Sequence, residues 1–117
     1  MHQPRTPDDR QTAHPKPRRP DESRALALGR VDAIALGGLA FDRATFEPGW
    51  RWSEQAGAAS CPGRHLGYLV SGRLRFRMDD GSEIEASGGD VYLIPPGHDS
   101  WVVGDEPCVA LDLKPTP

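Results

Sequence analysis

From Ala25 onward the chain is written in short apolar runs separated by turn residues, a pattern that predicts an all-β domain. Val31 to Leu36 and Leu39 to Phe46 are predicted strands, broken by Gly37 and Gly38. Pro48 and Gly49 predict a turn before Trp50, Arg51 and Trp52. The clearest segment is Leu66 to Met78. There Tyr68, Leu69 and Val70 run into Ser71 and Gly72, after which Leu74, Phe76 and Met78 alternate with Arg73, Arg75 and Arg77. This period of two predicts a strand with apolar side chains on one face and arginines on the other. Asp79, Asp80 and Gly81 predict a hairpin, Ser82 to Ala86 the returning strand, and Ser87 to Asp90 a further turn. Val91 to Ile94, Ser100 to Val103 and Cys108 to Leu113 complete the predicted strands, with Pro95 to Gly97 and Gly104 to Pro107 between them. No helix of useful length is predicted, apart from a turn near Asp21 to Leu28 headed by an acidic cap.

The first 24 residues differ in texture. They hold five of the twelve prolines, dense charge and almost no large apolar side chain. Such a segment buries too little surface to offset its ordering entropy, so residues 1–24 are expected to be a disordered basic tail and residues 25–117 the folded domain. Six basic residues against four acidic ones give the tail a net charge of +2 and leave −5 for the rest, within an overall −3. That balance favours neither nucleic acid nor an anionic membrane. The Lys16 to Arg19 cluster reads as a solvated extension ahead of a polyanion contact. Only Cys61 and Cys108 are present, so no disulfide framework is expected, and no stretch is apolar enough to span a bilayer. Prolines occupy the place of a secretory apolar run, and the cytoplasm is the expected compartment.

Strands spaced this evenly suit a sandwich or a barrel. Gly89, the five residues Asp90 to Ile94, then Pro95, Pro96 and Gly97 follow the first half of the pattern Gly-x5-Pro-x-Gly-x2-His-x3-Asn. Val70, Ser71, Gly72 and Arg73 match the hairpin that ends a preceding motif at the usual interval. In these features the stretch from Pro48 to Leu113 resembles the cupin superfamily. The resemblance implies a small single-domain cupin barrel, a double-stranded β-helix or jelly roll.

The family's first motif, Gly-x5-His-x-His-x3-4-Glu-x6-Gly, supplies two histidines and a glutamate to a divalent metal, and motif two adds a histidine. Here the match fails. Counted forward from Gly49, Gln55 and Gly57 occupy the histidine positions. Counted back from Gly72, His65 takes the glutamate position and Cys61 the second histidine position. The two counts disagree because the segment Ser53 to Gly63 is longer than the pattern allows. In motif two the ligand position is Ser100 and the asparagine position Gly104, while His98 lies two residues earlier and shares the strand parity of Ser100.

Cys61, His65 and His98 together offer a thiol and two imidazoles, a donor set for zinc, iron, nickel or manganese with an open coordination position. The competing readings are a loop thiol for Cys61, a backbone hydrogen bond for His65, and support of the Pro-Pro-Gly turn by His98. Trp52, Gln55, Tyr68, Ser100 and Trp101 are the candidate ligand-binding residues; Trp50, Trp52 and Trp101 otherwise read as packing or rim residues. Two functions follow from the resemblance: a module binding a small molecule, with or without a divalent metal, in the barrel lumen, or a metalloenzyme of the oxygenase, isomerase or lyase kind. A third, structural reading requires a lumen packed solid by Trp52, Tyr68, Leu74, Phe76 and Leu93. The resemblance also implies a homodimer, paired through strand faces or by exchange of an N-terminal strand, for which Val31 to Leu36 is the candidate.

Overall fold

A computed structural model of the chain describes residues 19–115. The expected disordered tail falls outside the described residues up to position 18. Nine strands follow, with one short helix among them: β1 (Glu22–Leu26), β2 (Gly29–Leu36), β3 (Leu39–Phe46), α1 (Trp52–Ala56), β4 (His65–Ser71), β5 (Arg73–Met78), β6 (Glu83–Ser87), β7 (Val91–Ile94), β8 (His98–Val102) and β9 (Cys108–Pro115). All the strand pairs are antiparallel. They form a six-stranded sheet in the order β1-β2-β3-β9-β4-β7 and a three-stranded sheet in the order β6-β5-β8. After β4 the chain crosses to the smaller sheet for β5 and β6, returns for β7, crosses again for β8 and returns for β9, the arrangement of a jelly roll.

Strand periodicity turns this topology into a core. Leu74 and Phe76 on β5, Tyr92 and Ile94 on β7, Val102 on β8, and Cys108 and Ala110 on β9 are all buried between the sheets. Arg75, on the opposite face of β5, pairs with Glu83 and Glu85 of β6 at 2.6 and 2.9 Å. The arginine ladder therefore lies on the outer face, as the alternation predicts, with Arg73 and Arg75 ion-paired to β6. At the β4–β5 corner Gly72 has a φ of 81°, and a Cβ there would press on the Cys108 backbone.

Two expectations are corrected. The predicted helical turn near Asp21 to Leu28 is instead β1 and its turn into β2, because residues 22–26 find a full antiparallel register against Gly29–Ala33. This strand takes in Glu22 to Arg24, residues the composition assigns to the tail. The region after Trp50 holds a real helix, α1. Its N-cap residue Arg51 makes no side-chain cap; the carboxylate of Asp99, far along the chain on β8, accepts from Ser53 N–H at 2.9 Å in its place. A cap supplied from 46 residues away leaves no local signature.

Candidate metal centre

β8 is the edge of the three-stranded sheet, and two isolated bridges cover it: Arg51 opposite Trp101, and Cys61 opposite His98. The second bridge is made by Cys61 N–H donating to the His98 carbonyl at 2.7 Å, with Gly97 N–H donating to the Cys61 carbonyl at 2.8 Å. It fixes a residue of an irregular connector beside a strand residue. Four positions later His65 opens β4 in the opposite sheet, so the Cys61–Gly63–His65 segment spans the mouth between the layers. Cys61, His65 and His98 each offer a ligand atom, and those atoms lie within 4.8 Å of one another.

The hydrogen bonds around the trio orient both imidazoles. His65 Nδ1 lies 2.8 Å from Asp112 Oδ2, and since a carboxylate accepts, Nδ1 is the donor. Its Nε2 then faces Cys61 Sγ at 3.7 Å. His98 Nδ1 lies 3.0 Å from the Pro95 carbonyl, again as donor, which leaves its Nε2 lone pair unused by that bond. The two rings meet edge to face with centroids 5.0 Å apart. Gly63 N–H donates to Cys61 Sγ at 3.4 Å. A tetrahedral zinc with bonds of ~2.3 Å to sulfur and ~2.0 Å to nitrogen separates those donors by roughly 3.6 Å, close to the observed sulfur–nitrogen distance.

The electrostatics separate the two histidines. The Asp112 hydrogen bond raises the His65 pKa to about 9 against the opposing effect of burial, with the Cys61 contact adding to the rise. Burial lowers the pKa of His98, and neighbouring His65 lowers it further. His98 is thus a neutral imidazole at pH 7, while metal-free His65 holds its second proton there. Burial and the adjacent Asp112 carboxylate push the Tyr92 phenol well above its ordinary value, so it remains a donor, and it donates to Asp112 Oδ1 at 2.9 Å.

Beside the trio lies a cavity of about 90 Å³. Phe46, Trp50, Trp52, Leu74 and Phe76 form its apolar wall; His65, His98, Ser100 and Asp112 form its polar end. The lumen is therefore not packed solid, and Leu93, assigned to that packing, is 54% exposed on the outer face.

Of the expected ligand-binding residues, Trp52 and Ser100 line this cavity. Three do not. Tyr68 is 42% exposed on the outer face of β4, because the inward parity of that strand belongs to His65, Gly67 and Leu69. Gln55 is exposed on α1. Trp101 points outward from β8, with the Arg51 guanidinium 4.4 Å from its ring centre. Two polar residues of the site were not anticipated, Tyr92 and Asp112. On β9 the inward parity belongs to Cys108, Ala110 and Asp112, although the alternate positions Val109, Leu111 and Leu113 are the more apolar.

The sequence model of the cupin domain family matches residues 43–114. No curated protein matches the chain. Among solved structures, the Lactobacillus farciminis oxalate decarboxylase formate complex superposes with a TM-score of 0.64 at 20% identity, over 82% of this chain and 31% of that one. A Silicibacter pomeroyi cupin-superfamily sugar phosphate isomerase gives 0.61 at 18% identity, over 79% of this chain and 62% of that one. A Bacillus subtilis oxalate decarboxylase, described for its Mn(II) centres, gives 0.56 at 26% identity, over 82% and 27%. The chain thus spans under a third of either decarboxylase.

Proposed function

The chain belongs to the cupin domain family, and from that premise we propose that its barrel holds a zinc ion at Cys61, His65 and His98 and binds a small molecule in the adjoining cavity. The observation that carries this reading is the convergence of three ligand atoms within 4.8 Å, drawn from a connector and two opposed sheets, at the polar end of a cavity. The residues fit the ion. Each imidazole has its Nδ1 committed to an acceptor and its Nε2 left over, and the thiol is buried beside them. A bound zinc would supply Lewis acidity and a coordination position open to a ligand.

A thiolate with two imidazoles favours zinc over manganese, whose preference is for harder oxygen donors. In this respect the site departs from the Mn(II) centres named for the B. subtilis decarboxylase. The cavity, at about 90 Å³, is far below the ~300–1,000 Å³ of ordinary small-molecule sites, so it suits a ligand of only a few heavy atoms. Binding is favoured over catalysis by the state of Asp112, the one carboxylate lining the cavity among the described residues: it is committed to orienting its neighbours, with Oδ2 2.8 Å from His65 Nδ1 and Oδ1 2.9 Å from the Tyr92 hydroxyl.

Elemental analysis of the purified protein tests the reading. Stoichiometric zinc is expected, lost in a Cys61→Ala/His65→Ala double variant. A folded wild-type protein that carries no metal and takes up neither zinc, iron, nickel nor manganese would overturn it.

A further inference from the structure

We infer that Asp112 and Tyr92 are positioning residues that hold His65 in the orientation its metal requires, and that Gly67 is what lets Tyr92 reach Asp112. The inference rests on the metal reading above but concerns residues to which that reading gives no ligand role. Its basis is a row of three residues across three strands. Gly67 on β4 lies opposite Tyr92 on β7 and, on its other side, opposite Asp112 on β9. Gly67, Tyr92 and His65 share the inward parity of their strands, and Asp112 faces the same lumen.

To bond Asp112 across this row, the Tyr92 phenol must pass directly over the Gly67 Cα. A Cβ built on Gly67 would overlap both the Tyr92 ring and its hydroxyl. Tyr92 is only 6% exposed, and its ring is packed against Phe76 with centroids 5.1 Å apart, so making way for a Cβ would carry the ring off this contact and into the cavity it lines, away from Asp112. Only glycine at position 67 therefore permits the 2.9 Å bond from the Tyr92 hydroxyl to Asp112 Oδ1.

That bond decides what the carboxylate can do. With Oδ1 held by Tyr92, Asp112 cannot rotate freely, and Oδ2 is presented to His65 Nδ1 at 2.8 Å. A histidine at the first position of a strand, with 31% of its side chain exposed, would otherwise sample several ring orientations. The clamp leaves Nε2 facing the Cys61 sulfur, which is the orientation a shared metal needs. A carboxylate on the distal nitrogen also makes the imidazole a more basic ligand.

The test is binding of Zn(II) and Co(II) to the full-length chain and to Asp112→Asn, Tyr92→Phe and Gly67→Ala, read by chelator competition and by the Co(II) absorption spectrum. Asp112→Asn is expected to weaken binding by about 10- to 100-fold and to shift the Co(II) ligand-field bands while the thiolate charge-transfer band persists. Tyr92→Phe and Gly67→Ala are expected to weaken it by about 10-fold, at the low end of that range. Tyr92→Phe combined with Asp112→Asn should bind no more weakly than Asp112→Asn alone, since both act through one contact. Should Gly67→Ala fail to fold, the near-isosteric Tyr92→Phe carries the same question. Residues with a merely structural role would lower the melting temperature of the metal-free protein and leave affinity and spectrum at wild-type values; that result overturns the clamp and spares the metal site. A wild-type chain that binds neither ion overturns both.

Discussion

Cys108 has no exposed surface, and burial pushes its thiol up to about 11 from an ordinary 9.0. The sign of the resulting pH dependence follows from which state sheds its proton first. Below pH 9 the thiol is protonated in both folded and unfolded chains, and its contribution to stability is complete. As pH rises from there, the unfolded chain ionises while the folded one cannot, so the contribution is lost progressively toward pH 11. The loss is on the order of 2 kcal/mol. Urea unfolding at about pH 7 and about pH 11 should show the stability gap between wild type and Cys108→Ala narrowing by that amount; a gap that stays constant would refute the assignment. Both cysteines are buried, and it is their surroundings that separate their roles. Cys61 sits at the mouth beside a histidine and a backbone donor, Cys108 among apolar neighbours between the sheets.

At the scale of elements, the short helix α1 depends on a strand it does not touch in sequence. Asp99 accepts from Arg51 Nε at 2.8 Å, Ser53 N–H at 2.9 Å and Ser53 Oγ at 2.8 Å, and so fastens α1, with Trp52 at its start, to β8. Burial works to raise the pKa of Asp99, but the hydrogen bonds from Ser53 and Arg51 outweigh it and hold the carboxyl below its ordinary 3.8. Stability from this staple is present above the ordinary value and lost as pH falls through the depressed one. Asp99→Ala should cost about 1–2 kcal/mol in urea unfolding at neutral pH, with a change in tryptophan fluorescence as Trp52 loosens at the cavity wall. Asp99→Asn, which keeps one acceptor oxygen, should cost less. Equal stability of all three proteins would show that the helix is held by something else.

For the molecule as a whole, the outer face of the six-stranded sheet is the unusual surface. One row runs Leu93, Leu66, Leu113, Phe41, Ile34 across five strands, and the next adds Val91, Tyr68 and Leu111. Leu66, Leu93 and Val91 are 45%, 54% and 72% exposed. Five strands at ~4.8 Å and two residue rows at ~6.7 Å give a footprint on the order of 300 Å², under half of the ~800 Å² that each partner contributes to a standard interface. The chain's own first 18 residues are poorly suited to cover it, since Met1 is their only large apolar side chain. A second copy of the chain, apolar face to apolar face, is the occupant that the expected homodimer supplies. Sedimentation velocity should then find a dimer, and Leu66→Lys with Phe41→Lys a folded monomer. A wild-type monomer would refute pairing by this face.

The same face marks the boundary of what was legible in the sequence. Turn chemistry and period-two alternation mark out seven segments that cover eight of the nine strands, β4 and β5 lying within one of them, because hydrogen-bonded ladders and glycine-dependent corners are local demands that leave local traces. β1 escaped because a short polar strand is defined by its partner β2. In β5 the inward face could be read directly, since the other face is charged, whereas in β8 the outward face carries Trp101 beside Asp99, and the tryptophan was expected in the cavity. In β4 and β9 both faces carry apolar residues or the polar one points inward, so alternation does not tell the lumen face from the outer one, and neither the outward place of Tyr68 nor the inward place of Asp112 could be read from it. Spacing from Gly72 singled out Cys61 and His65, and parity singled out His98. Their convergence is a matter of tertiary structure, since it requires a connector bridge to β8 and a strand from the opposite sheet. The Tyr92–Gly67–Asp112 row is more remote still. It exists only once three strands are in register, and a side chain's neighbours across a sheet are set by that register, to which no single segment of sequence refers.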